Sequence, residues 1–424
     1  MSEKRGSAVG DVDGGDVFDV VVVGGGIIGL SCAWRLAQRG ARVAVVERGE
    51  PGCGATRVAA GMLAPVGELT FGEPELLELT LAAARLYPAF VAEVEATSGE
   101  TTGYEQLGAL HVALDRDEAA QLRRVHDLQR SLELEAEWLP ARKCRDLEPG
   151  LTPSFHGGVF AAGEAAVDPR ALTRALIAAA RAEGVEVTTG TEVVEGIFEG
   201  DRLTGVRTRR GVFHERHRVV PLSGNTGQKN QAINSSPTAD DSIRAETVVL
   251  ANGAWSGATP WLPEHARPAV RPVKGQVLEL RRRDGEPPAH HILASERVYL
   301  VPRGDGRLIV GATVEELGYD TTVTAGGVHE LLREAYRLLP DVAEMELVDA
   351  IAGLRPGTPN NLPLVGPGAI DGLVLATGHF RNGILLAPLA AQAVADLLSS
   401  RRSSLSRYRP PKDERAVAEV GQTS

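Results

Sequence analysis

The first patterned stretch of the chain is Phe18 to Val23, a nearly continuous apolar, β-branched run. A short run without alternation predicts a strand buried on both faces, as in a parallel sheet. A Gly-rich turn follows, and periodicity predicts a helix from about residue 27 to 39, stopped by Gly40. Residues 41–46 read as a second buried strand. Together they make a β–turn–α–β unit. Residues 53–65 are rich in small side chains and read as irregular.

Helical patterns recur at about 75–97 and 117–134, with Leu110, Val112 and Leu114 alternating between them as a strand. Asp168, Pro169 and Gly184 punctuate a further helix. Val185, Val187, Val193 and Ile197 read as strands, and so does 247–251. Residues 276–280, 297–301 and 308–310 look like strands of a second sheet. Helices are expected at 328–339 and 384–398, the latter behind a strand at 373–376 and a Gly-rich turn. The polar segment 214–243 reads as a disordered insert. Residues 1–16 and 401–424 read as tails.

Composition narrows the classes. The chain has 424 residues and 43% hydrophobic residues, enough for two domains with sizeable cores. A net charge of −11 offers no basic footprint for nucleic acid. No run approaches the ~20 apolar residues of a membrane span, and no secretory h-region is recognisable. Cys32, Cys53 and Cys144 have neither metal-ligand spacing nor a disulfide framework, so no metal is expected and a reducing cytoplasm is the default.

Chemistry enters at Gly24, Gly26 and Gly29, a G-x-G-x-x-G directly after a strand and opening a helix. The first glycine allows the tight turn, the second lets backbone approach a pyrophosphate, and the third lets helix and strand pack closely. The helix N-terminus supplies amide donors and partial positive charge. Glu47 ends the next strand about 20 residues on, where a carboxylate can accept from ribose hydroxyls. The bland alternatives are a structural turn and a solvated strand-end carboxylate. The full context favours a dinucleotide. Phosphate chemistry does not separate FAD from NAD. The small-residue segment Ala55–Met62 and a second Gly-rich turn, residues 378–383, favour a flavin, whose reduced pyrimidine edge a helix N-terminus would stabilise.

Five segments, GATRVAAGMLAP (54–65), RPVKGQ (271–276), VYLVPR (298–303), AGLRPGTP (352–359) and GHFRNGILLAP (378–388), occur in this order. Together they resemble the glycine oxidases of thiamine biosynthesis, in the D-amino-acid oxidase group of flavoproteins. The resemblance runs from about residue 18 to 400. It implies an α/β plus α+β architecture: a Rossmann-like FAD-binding domain (17–80, 151–258 and 348–400) and a second, mostly antiparallel-sheet substrate domain (81–150 and 259–347). It implies noncovalent FAD, contacted by Ile27 and Ile28, by Glu47 and Arg48 at the ribose, and by Ala55, Thr56, Ala60, Gly61 and Met62 near the flavin. Val193 would meet the adenine side. His379, Phe380, Arg381, Asn382, Gly383, Ile384 and Leu385 would wrap the isoalloxazine. Arg355 would hold the substrate carboxylate, with Tyr299 and Arg381 lining the same site. Two matched positions depart from the family pattern, with Arg297 in place of a pocket histidine and Val314 in place of a methionine. Both bear on substrate size and affinity.

The chemistry is consistent with those assignments. Arginine's planar fork binds carboxylates bidentately. A lone arginine is usually a surface charge, but Arg355 lies between Leu354 and Pro356 in an apolar, turn-forming context. Tyr299 could equally be a half-buried core aromatic. Hydride transfer from an α-carbon needs mainly alignment and desolvation, so no acid–base residue is assigned. The expected reaction is oxidation of glycine, or of sarcosine or D-alanine, with O2 as acceptor. The imine would hydrolyse or pass to a thiazole synthase, and a homo-oligomer is compatible. Rival readings are a dehydrogenase for another amine, a non-catalytic FAD-binding protein and an NAD-dependent dehydrogenase. No cysteine follows Cys144, which argues against the flavin-linked sarcosine type.

Overall fold

Val20 and Val22 of the first strand pack into one apolar core, and Val21 and Val23 into another. Alternate side chains leave a strand on opposite faces, so a strand covered on both sides must be apolar at every position. That strand is the centre of the molecule. The computed structural model describes residues 17–211 and 241–399. The tails 1–16 and 401–424 and most of the insert at 214–243 lie outside the described residues.

In chain order the strands are β1 (Phe18–Val23), β2 (Val43–Val46), β3 (Met62–Leu63), β4 (Ala109–Val112), β5 (Glu137–Leu139), β6 (Gly158–Ala161), β7 (Ala165–Ala166), β8 (Glu186–Thr188) and β9 (Thr191–Glu199). They continue with β10 (Arg202–Arg210), β11 (Asp241–Leu250), β12 (Arg271–Arg281), β13 (Ile292–Ala294), β14 (Tyr299–Pro302), β15 (Arg307–Gly311), β16 (Glu346–Gly357), β17 (Leu364–Pro367) and β18 (Leu373–Thr377). The helices are α1 (Ile27–Gln38), α2 (Ala55–Val58), α3 (Pro74–Ser98), α4 (Arg116–Ser131), α5 (Ala141–Leu147), α6 (Pro169–Ala182), α7 (Ala325–Leu338) and α8 (Gly383–Leu398).

One sheet runs β17-β18-β11-β1-β2-β8, with the β9–β10 hairpin attached through β11. Its β18, β11, β1, β2 and β8 are mutually parallel, and β17 closes the edge antiparallel. Helices α1, α3, α6 and α8 cover one face through Trp34, Phe90, Leu176 and Val394. The second sheet runs β16-β12-β15-β14-β13-β4-β6-β5 and is antiparallel except where β13 meets β4. Leu278, Leu300 and Val310 pack on α7 from one face of it. Val277, Val301 and Ile309 pack on Val58 and Ala60 from the other. The fold is thus the expected Rossmann-like α/β sheet with a second, mostly antiparallel one.

The residue ranges expected for the two halves need three corrections. Residues 81–98 of α3 join the first core, because Ala83, Tyr87, Phe90 and Val94 pack beside Trp34 and Leu385. The Tyr87 hydroxyl also donates to Ile384 O at 3.2 Å. Strand β6 pairs with β4 and β5, in the second sheet. Strand β16 pairs with β12 along its whole length, so residues 348–357 also belong there. Two smaller corrections concern local structure. Residues 53–65 contain α2 and β3. Residues 241–243 are not insert but the start of β11, where Ile243 pairs with Val206.

Trp34 is wholly buried on α1, edge-on to Phe90 with ring centroids 5.7 Å apart. Truncating a buried Trp costs about 3–5 kcal/mol through lost transfer energy and the cavity left behind. Trp34→Ala should therefore lower the thermal midpoint by several degrees, measured by circular dichroism. An unchanged midpoint would show that this helix layer does not carry the stability of the fold.

Candidate active site

A cleft of about 610 Å³ lies between the carboxyl ends of the parallel strands and the inner face of the second sheet. Val23, Val46, Ala251 and Thr377 reach it from the first sheet, and Val277, Tyr299 and Arg355 from the second. Open parallel sheets bind ligands at that edge.

The Gly-rich turn shows the close backbone approaches of its first and third glycines. Gly24 has φ +110°, and a Cβ there would overlap Ala251 O. A Cβ on Gly29 would overlap Gly24 O, so this position seats α1 directly on β1. Gly26 is different, since its Cβ would meet only Thr56 Oγ1 at 3.6 Å and otherwise face the cleft. Gly26 is also the N-cap of α1, with no side-chain cap, which leaves the helix amides turned to the cleft. Thr56 Oγ1 accepts from Ile27 N at 3.1 Å and pins the turn to α2. Glu47 accepts from Gly25 N at 2.7 Å and from Gly49 N at 2.8 Å. Its carboxylate is thereby fixed at the mouth of the turn. Arg48 lies over the Trp255 ring, 4.2 Å from the centroid, and both line the cleft.

Ile28, Ala55, Ala60, Gly61, Met62 and Val193 line the same cleft. From the C-terminal turn it is lined by His379, Phe380, Arg381, Gly383 and Ile384. Three expected contacts do not reach it. Gly29, Asn382 and Leu385 are absent from its lining, with Gly29 seated against Gly24 O behind the turn. The α8 N-terminus, like that of α1, carries no side-chain cap. His379 is buried, and its Nε2 has no hydrogen-bond partner among the described residues. Burial pushes its pKa down to about 3, so the ring is neutral. Two uncapped helix N-termini and an orphaned imidazole nitrogen suit a long, anionic, polar-edged group such as FAD.

At the other end sit Arg355 and Tyr299. Arg355 is half-buried on β16, and its Nη1 donates to Thr313 O at 3.2 Å and Lys274 O at 3.3 Å. Its guanidinium lies across Gly275, where any Cβ would overlap it. Tyr299 lies across Gly311 in the same way. Burial raises the Tyr299 pKa, so its hydroxyl keeps its proton. Arg381 sits at the rim, where its Nη2 donates to Thr70 Oγ1 at 2.8 Å and pairs with Glu73 at 3.2 Å. Arg297 and Val314 also line the mouth and are exposed.

Several cleft residues were not anticipated from the sequence: Glu68, His111, Trp255, Gly275 and Gly311. Gly275 falls within RPVKGQ, and a glycine inside a strand is a signal of close approach. For Glu68 and His111 no local pattern points to the site. Arg303 is buried behind the cleft and donates to Ala60 O and Val167 O, fixing the wall opposite β12. Among the described residues no cluster of three or more His, Cys, Asp or Glu could hold a metal ion, and no helix is long and apolar enough to cross a membrane.

This chain belongs to the FAD-dependent oxidoreductases: the family model DAO, described as "FAD dependent oxidoreductase", matches residues 19–397. Its cofactor is FAD. Within the family it is similar to the glycine oxidase of Geobacillus kaustophilus, at 32% identity over 411 residues, 95% of this chain and 98% of that protein. The crystal structure of that glycine oxidase aligns with a TM-score of 0.78, covering 92% of this chain and 98% of its own. The "Bifunctional protein ThiO/ThiG" of Trichormus variabilis is 35% identical over 387 residues, 91% of this chain but 53% of that protein. This chain thus spans about half the length of the bifunctional relative. The resemblance drawn from the five sequence segments is borne out.

Glu164 lies just behind the cleft wall, where its Oε1 accepts from Val66 N at 2.8 Å and Gly67 N at 2.6 Å. Burial pushes its carboxyl up to about 8. A raised value means that folding favours the protonated form. That contribution is full below the ordinary carboxylate range and is lost as pH rises through about 8. Glu164→Gln keeps an acceptor oxygen and never ionises. Its thermal midpoint relative to wild type should therefore rise between about pH 5 and pH 9. A difference constant across that window would contradict the assignment.

Proposed function

We propose that this protein is an amino-acid oxidase acting on glycine and other small amines. The carrying observation is Arg355 laid on the bare backbone of Gly275, with Tyr299 beside it, in the cleft of an FAD-dependent oxidoreductase. The relatives named glycine oxidase support this choice of substrate.

Bound FAD supplies the acceptor for the hydride that leaves the substrate α-carbon. Gly24, Gly26, Ile27, Ile28, Glu47 and Arg48 would hold its dinucleotide half. The Ala55–Met62 segment and residues 379–384 would hold the ring. Arg355 receives the substrate carboxylate through the guanidinium edge that Lys274 O and Thr313 O leave open. Tyr299, still protonated, donates to the same carboxylate. These two contacts fix the α-carbon, and the apolar wall of Met62, Val277 and Ile292 keeps water from the reacting bond. With O2 as final acceptor the products are the glycine imine, which hydrolyses to glyoxylate and ammonia, and hydrogen peroxide. The relatives named ThiO/ThiG favour delivery of that imine to thiazole formation in thiamine biosynthesis.

Anaerobic addition of glycine to the flavin-loaded protein should bleach its visible absorption. Peroxide formation from glycine, sarcosine and D-alanine should then rank the substrates. Removing one partner of a desolvated charge pair costs about 2–5 kcal/mol. Arg355→Ala should accordingly raise KM for glycine by about a hundredfold while retaining FAD. An unchanged KM would remove the anchor role. Flavin that stays oxidised with every amine would reduce the protein to a non-catalytic FAD binder.

A further inference from the structure

We propose that Glu68 takes the proton from the substrate's ammonium group, an inference that rests on the oxidase reading above. A primary amine arrives protonated at neutral pH, and a nitrogen without a lone pair cannot support loss of hydride from the neighbouring carbon. Something in the cleft must accept that proton or select the rare neutral amine.

Glu68 is placed for the task. It lines the cleft with Arg355, Tyr299 and Arg381, and it feels the charges of both arginines. Among the described residues no ion pair reaches its carboxylate, since Arg381 is taken up by Glu73 and Thr70. The other cleft groups are unsuited. Glu47 is held by two backbone amides, Glu192 pairs with Arg209, and Glu296 is exposed at the rim. The imidazoles of His379 and His111 are pushed down to about 3 and about 4, too weakly basic to compete.

The loop carrying Glu68 is held from behind. Glu164 accepts from Val66 N and Gly67 N, Gln129 Nε2 donates to Val66 O at 2.9 Å, and Glu68 N donates to Ala64 O at 3.0 Å. Gly67 must remain bare, because a Cβ would overlap His111 Nε2. A buried carboxylate, a buried amide and a glycine therefore aim one side chain into the cleft.

Electrostatics times the transfer. Burial raises the Glu68 pKa, while Arg381 and Arg355 lower it. A substrate carboxylate on Arg355 cancels that arginine's charge, so proton affinity at Glu68 rises just as the ammonium arrives. One N–H bond breaks with its electron pair staying on nitrogen, and one O–H bond forms on Glu68. The neutral amine then has the lone pair that hydride departure requires. The Glu68 proton leaves to solvent through the cleft before the next turnover. The groups facing Glu68 are Arg355 on β16, Tyr299 on β14, His111 on β4, Glu164 between β6 and β7, and Arg381 ahead of α8 with Glu73 paired to it.

The test is the rate constant for anaerobic flavin reduction by glycine, per unit substrate, across pH. In wild type it should fall as pH drops through the raised Glu68 value. A positioned base contributes about 10²–10⁴-fold. Glu68→Gln should therefore lose about a hundredfold near neutrality and regain roughly tenfold per pH unit as the free amine appears. Glu68→Asp should keep the wild-type shape at reduced height. Acetate, which has a carboxylate and no ammonium, should bind Glu68→Gln at least as tightly as wild type. A Glu68→Gln profile that superimposes on wild type overturns the proposal. So does loss of acetate binding with the amine dependence intact, which would make Glu68 part of the anchor. If no amine reduces wild-type flavin, the oxidase reading itself has failed, and that is seen before any variant is made.

Discussion

Everything in this molecule depends on how closely α1 can approach β1. A helix N-terminus attracts a pyrophosphate only when its amides stand at the open edge of the sheet with nothing in front of them. Gly29 lies against Gly24 O, which no side chain would permit, and the helix is drawn onto the strand by that contact. Gly26 then presents bare backbone to the cleft. The same device recurs at the far end, where Gly275 and Gly311 leave room for Arg355 and Tyr299 to lie flat on the second sheet. The cleft is therefore made by subtraction. At one end a missing Cβ bares backbone to the cleft, and at the other missing Cβ atoms let Arg355 and Tyr299 lie on the sheet.

Two sheets divide the work along the line between those ends. The parallel sheet, covered on both faces, is rigid and supplies helix termini, which favour phosphates and a reduced ring. The antiparallel sheet supplies the groups at the other end, with Gly275 and Val277 of β12 and Gly353 to Pro356 of β16 lining the cleft. Register matters here. Arg355 pairs with Val273 in the ladder, and a shift of one residue would turn it to the other face. The eleven-pair ladder between β12 and β16 makes such a shift costly.

This division explains what could be read from the sequence. The β1–α1–β2 unit was legible because its signals are local: an apolar run, glycines at fixed offsets, a stop at Gly40. The residues of the GLRPG and HFRNG segments were legible only through resemblance, since an arginine between apolar neighbours has no periodic signature. The layer to which α3, β6 and β16 belong was not legible. An apolar stripe such as Ala83, Tyr87, Phe90 and Val94 states that a helix will be buried, not against what. Asn382 and Leu385 were expected at the flavin through the resemblance alone, which carries over a whole segment, whereas only some side chains of that segment line the cleft. Glu68 was invisible for a related reason. Its meaning comes from Arg355, Arg381 and Tyr299, all more than two hundred positions away.

The two ends differ in how their charged groups are held. Arg355 rides on a strand, and its guanidinium is braced by two backbone carbonyls. Glu68 rides on a loop, held by Glu164, Gln129, a backbone bond from Glu68 N to Ala64 O and the absence of a side chain at Gly67. An anchor must not move, whereas a group that exchanges protons with solvent needs access to it. Glu164 makes the loop's support depend on protonation, because an ionised carboxylate there would be buried with no cation paired to it and no partner for its Oε2 among the described residues. The loop's stability and the proposed acid–base role in front of it thus draw on the same two neighbouring carboxyls, whose charges repel. Ionising Glu68 raises the proton affinity of Glu164 behind it, which keeps the support neutral when the cleft carboxylate is charged.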